Sequence, residues 1–135
     1  MTIVIESPDR LVVQAVLSGA AARMRAAGVT PQLVGCECDH RADSDLPSSE
    51  PYPGPEGAGR PWCMLCAVES QQIALNVHGD YYGHALAAIA KHLSGRTYSL
   101  LEFVERDDVL LPWSEGASAD AIIETFDAVA SEQLA

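Results

Sequence analysis

Apolar positions recur at helical spacing through most of the chain, interrupted by one long stretch with no period at all. Thr2 to Ile5 is a short β-branched run that predicts a strand. Ser7-Pro8-Asp9 then supplies start signals for a helix: Ser7 as cap, Pro8 at the first helical position and Asp9 against the dipole. The predicted helix runs from Pro8 to Ala27. It carries Arg10, Gln14, Ser18 and Arg25 on one face and a wide apolar surface of Leu11, Val12, Val13, Val16, Leu17 and Met24. Gly28 is placed to end it in a left-handed cap, and Gln32 to Cys36 predicts a second strand.

From Asp39 to Arg60 the composition changes, with prolines at 47, 51, 53 and 55, glycines at 54, 57 and 59, and acids at 39, 43, 45, 50 and 56. The segment 39–61 is therefore expected to be an acidic Pro/Gly-rich loop. Such a length is rare inside a compact domain unless its ends are fastened. Beyond it, Trp62 to Val77 predicts a helix broken at His78-Gly79, and a further helix starts at Asp80 with the seam Tyr82, Leu86, Ile89 and Leu93. Ser94-Gly95 supplies its stop. Thr97 to Val104 and Val109 to Trp113 are read as two strands around Glu105-Arg106-Asp107-Asp108, with a short helix over 99–104 as the alternative. Ser118 or Asp120 caps a last helix reaching about Gln133, with Ile122, Phe126 and Val129 inward. The expected fold is α+β, a compact single domain over residues 1–135, mostly helical with a few short strands.

Charge narrows the function classes. Lys+Arg is 8 against Asp+Glu 19, a formal −11 over 135 residues. This disfavours proteins that hold nucleic acid or anionic membranes by neutralising phosphate, and suits a basic protein partner instead. A homo-oligomer is left open. No apolar run reaches the ~18 residues of a membrane span, and Met1 to Glu6 lacks the basic-then-apolar order of a signal peptide. A cytoplasmic location is expected. Lys91 is the single lysine beside seven arginines and many alanines, as GC-rich bacterial codons would give.

Candidate chemistry lies in the four cysteines. Cys36-x-Cys38 and Cys63-x-x-Cys66 are two close pairs at the two ends of the acidic loop. Four such thiolates can surround one tetrahedral ion, and zinc prefers these soft ligands. On a strand, residues 36 and 38 point to the same side; in a first helical turn, the dipole favours ionised thiolates at 63 and 66. His40 would share that side and could replace one cysteine. Over Cys36 to about Val77 the arrangement resembles a treble-clef zinc finger, with one residue inside the first pair where that family usually has two. An iron–sulfur cluster would use the same ligands. Four thiolates close the coordination sphere, whereas catalytic zinc keeps a position open, so the expected site is structural.

Two further resemblances imply other roles. Trp62-Cys63-Met64-Leu65-Cys66 resembles the motif of thioredoxin-like oxidoreductases, which implies disulfide exchange by Cys63 and Cys66. In this chain no proline precedes Thr97 where that family places its cis-proline. Asp39-His40 beside the cysteine pairs is similar to endonuclease VII-like nucleases, which implies a zinc-dependent nuclease, although the loop has no second His motif. His78, His84 and His92 lack the i, i+4 spacing of a helix-borne site, and Trp113 is read as core. Nucleotide-binding glycine motifs and a nucleophile elbow are absent from the sequence. The reading is thus a small zinc-binding protein with a regulatory or adaptor role through protein contacts, and no catalysis.

Overall fold

The structure is a computed structural model that describes residues 8–30 and 62–134. Helix α1 (Arg10–Ala27) begins where the Asp9 carboxylate accepts the Leu11 N–H at 2.9 Å, so Asp9 is the cap and Pro8 lies outside the helix. This moves the expected start by two residues. Gly28 ends α1 with its N–H on the Met24 carbonyl, at φ 92° and ψ 164°. That is a positive-φ conformation open to glycine, but extended in ψ and not the left-handed cap expected. The extension leads directly into β1 (Val29–Thr30), which pairs in parallel with β2 (Trp62–Cys63), Val29 opposite Trp62 and Thr30 opposite Cys63.

Helix α2 (Met64–Ala74) follows β2 without a break, and α3 (Asp80–Ser94) starts at the predicted position. Asn76 at φ 55° separates the two, so α2 ends before the Val77 that the sequence suggested. Gly95 closes α3 at φ 78° and ψ −3°, a left-handed cap whose N–H reaches the Lys91 carbonyl. The apolar seam of α3 is rotated from the prediction: Tyr81, Ala85, Leu86, Ile89 and Ala90 are buried, while Tyr82 and Leu93 are only half-buried. The Tyr81 hydroxyl accepts the Asp9 N–H at 2.9 Å, which satisfies its polar end and ties α3 to the start of α1.

The two strands read over 97–113 are not strands. Leu100–Glu102 is a 3-10 turn running into α4 (Phe103–Gly116). The cause is local: Ser99 and Glu102 form a reciprocal capping box in which the Ser99 N–H donates to the Glu102 carboxylate at 3.0 Å. That backbone hydrogen bond, with the Ser99 hydroxyl and the Arg96 guanidinium, holds the Glu102 carboxyl below its ordinary range against an opposing desolvation. Along α4, Arg106, Leu110 and Ser114 turn inward at helical spacing, and Pro112 is exposed within the helix. Helix α5 (Ala119–Glu132) is capped by the Ser118 side chain and buries Ile122, Phe126 and Val129 as expected.

These elements make a compact, mostly helical assembly around α1. The face Val13, Val16, Leu17, Ala20, Ala21 and Met24 packs chiefly on α5 and α2, and α3 completes the core with Leu86 and Ile89. Each large side chain buried in this way contributes about 1.5–3 kcal/mol. Small residues set how closely α1 meets α2: a Cβ at Gly19 would overlap the Gln71 side chain, which in turn accepts from Arg23 Nε at 3.0 Å. No helix among the described residues is long and apolar enough to cross a membrane. The predicted strands over 2–5 and 32–36 and the loop 39–61 lie outside the described residues.

Candidate functional site

The β2–α2 junction carries the second cysteine pair. Cys63 is the N-cap of α2 in extended conformation, at φ −82° and ψ 153°, and its Sγ accepts the Cys66 N–H at 3.3 Å. The Cys66 N–H, one of the donors left open at a helix start, thus finds its acceptor in sulfur. Cys66 sits on the first turn, three residues on, so both sulfurs belong to one end of α2. Both residues are 1% exposed, beside a Trp62 and Met64 that are fully buried.

The junction is held in place by backbone and by charge. The Trp62 N–H donates to the Gly28 carbonyl at 3.0 Å, and the parallel register sets Cys63 against Thr30. The Arg23 guanidinium stands 5.7 Å from the centre of the Trp62 ring, close enough for a cation–π contact. The spacing Cys63-x-x-Cys66 thus lies at the start of a helix, as the sequence implied. Cys36, Cys38 and His40 lie outside the described residues. Among the described residues no group of three or more His, Cys, Asp or Glu side chains is gathered to hold a metal.

Comparison with protein-family models, with curated proteins and with solved structures returns no significant match to this chain.

The histidines take capping and pairing roles. His78 Nδ1 accepts the Asp80 N–H at 3.0 Å at the start of α3, His92 Nδ1 meets Glu132 Oε1 at 2.8 Å, and the His84 ring stands edge-on to Tyr81 at 6.0 Å. Trp113 is half-buried against the core, as read from the sequence. The thioredoxin-like resemblance needs a strand pair after the helices, and the segment that would supply it is the 3-10 turn and α4.

One feature escaped sequence reasoning. Leu101 is 88% exposed, Phe103 53% and Val104 56%, an apolar group spanning the 3-10 turn and the start of α4. The capping-box pattern Ser99-x-x-Glu102 was the signal that could have revealed it, because it fixes a helix start just before these residues.

Proposed function

We propose that the chain is a small zinc-binding protein whose Cys36, Cys38, Cys63 and Cys66 hold one structural zinc, and that it acts through contacts with a protein partner in an adaptor or regulatory role. In this reading the α+β character comes from short strands tied to helices at the metal site. The observation that carries it is the Cys63–Cys66 end of α2, two adjacent buried sulfurs with an N–H donated to the first of them. Chain connectivity supports the first pair joining them. Thr30, paired with Cys63, precedes Cys36 by six residues, a length that spans at most about 22 Å. His40 is the substitute ligand if one cysteine is not used, and an iron–sulfur cluster is the alternative group for the same sulfurs.

The exposed start of α4 supports the partner half of the proposal. Leu101, Phe103 and Val104 stand beside the exposed carboxylates Glu105 and Asp108. Contiguous apolar surface rimmed by acids suits a basic amphipathic segment, whereas a second copy carrying the same −11 meets like charge. Titrating the zinc-loaded chain with a Leu/Lys amphipathic helical peptide should shift the amides of residues 101–108, and Leu101→Ser with Val104→Ser should weaken binding about tenfold or more. A Leu/Glu peptide should not bind. Unchanged affinity of the double variant would remove this surface from the account.

A further inference from the structure

We propose that a second site, a cleft between the first turn of α1, the outer face of α3 and the end of α5, binds a small organic monocarboxylate with an apolar body. The cleft encloses about 540 Å³, within the ordinary size of a small-molecule site. Its α3 wall is a stripe of His84, Ala87, Ala88 and Lys91, residues three or four apart that share one side of the helix. Ala87 and Ala88, with Val13 from α1, leave an apolar surface short enough to admit a ligand body. Arg10 and Lys91 supply permanent positive charge at the same cleft, in a chain where acids outnumber Lys and Arg by 19 to 8.

Part of this charge is already used by the fold. Arg10 Nη2 donates to the Glu132 carbonyl at 2.9 Å, and His92 occupies the Glu132 carboxylate at 2.8 Å. Both contacts compensate the negative end of α5. They do not account for Lys91, whose ammonium makes no hydrogen bond or ion pair among the described residues. Arg10, bonded to a carbonyl, also keeps its formal charge and further N–H donors.

The charge balance selects the ligand class. Arg10 and Lys91 face one carboxylate, Glu132, which leaves one positive side-chain charge in excess, and the positive start of α1 at the same cleft offsets part of the negative ends of α3 and α5. That balance suits a single negative charge and disfavours a phosphate dianion. The carboxylate would lie between Lys91 and Arg10, and the ligand body over Ala87, Ala88 and Val13. This inference does not depend on the metal site.

The test is an NMR titration of the full chain with 2-naphthoate, with 2-naphthylmethanol and phenyl phosphate as comparisons. Saturable shifts are expected at residues 10, 13, 84, 87, 88 and 91. Lys91→Gln is expected to weaken 2-naphthoate about tenfold, the loss of one charged hydrogen bond. Lys91 is exposed and its ammonium makes no hydrogen bond or ion pair among the described residues, so this variant keeps its structure. Arg25→Gln, on another face, should leave binding unchanged. The proposal is overturned by the absence of saturation, by equal shifts at Arg25 and Arg96, by unaltered binding in the Lys91 variant, or by tighter binding of either comparison compound.

Discussion

Replacing Cys36 or Cys63 by serine is expected to remove stoichiometric zinc and lower the melting temperature by about 10 °C or more, because a structural zinc site contributes several kcal/mol of folding free energy. The two cysteines belong to different pairs, so equal effects would show that the pairs act on one ion. Serine itself costs something at a buried position, as Cys63 and Cys66 are both 1% exposed and a hydroxyl there needs a partner. Measuring each variant with and without a chelator separates the two contributions. With chelator present, wild type should fall toward the variants, and the remaining difference is the cost of the hydroxyl alone. If Cys36→Ser and Cys63→Ser both keep full metal content and unchanged melting, the four-cysteine site is wrong.

Phe126→Ala should have the other large effect, a loss of about 3–5 kcal/mol, for a reason unrelated to metal. Phe126 is fully buried on the inner face of α5, which packs against the alanine-rich side of α1. Ala20 and Ala21 offer no long side chain to swing into the space that would open. The cavity therefore persists, and its cost adds to the lost burial. Urea unfolding should show a lower midpoint with an unchanged slope. Leu11→Ala, at a position 65% exposed on α1, should change stability by no more than about 0.5 kcal/mol. A loss below about 1 kcal/mol for Phe126→Ala would contradict the packing of α5 on α1.

Where the sequence was legible, the determining interactions are local. Ser118 caps α5 with its own hydroxyl on the Ala121 N–H, Gly95 supplies the left-handed stop of α3, and Asp80 starts α3 after His78-Gly79. Each signal lies within four residues of the feature it sets. The strand Val29–Thr30 gave no such signal, because two residues have no period and their pairing joins positions more than thirty residues apart. The segment 97–113 misled for a different reason. Its inward positions include Arg106 and Ser114, so the helical face does not read as an apolar stripe, while the apolar runs Leu100-Leu101 and Val109 to Leu111 on either side of the charged 105–108 imitate two short strands. The seam of α3 keeps Leu86 and Ile89 but starts at Tyr81 in place of Tyr82, because the two tyrosines are chemically alike and only the tertiary contact with Asp9 chooses between them.

The candidate sites divide along the same line. The spacing of Cys63 and Cys66 told that both sulfurs belong to one helix end, and the structure adds their burial and the N–H donated to Cys63 Sγ. The carboxylate cleft draws on positions 10, 84–91 and 132, brought together by the packing of α1, α3 and α5, and no short window of sequence contains it.

The central claim is tested most directly by the metal content of the freshly purified, colourless chain, measured by mass spectrometry together with thiol alkylation. One zinc per chain is predicted, with all four cysteines protected until a chelator or denaturant is added. Absence of zinc, with Cys63 and Cys66 turning over a small disulfide after Cys36 and Cys38 have been replaced, would contradict it and make the protein an oxidoreductase.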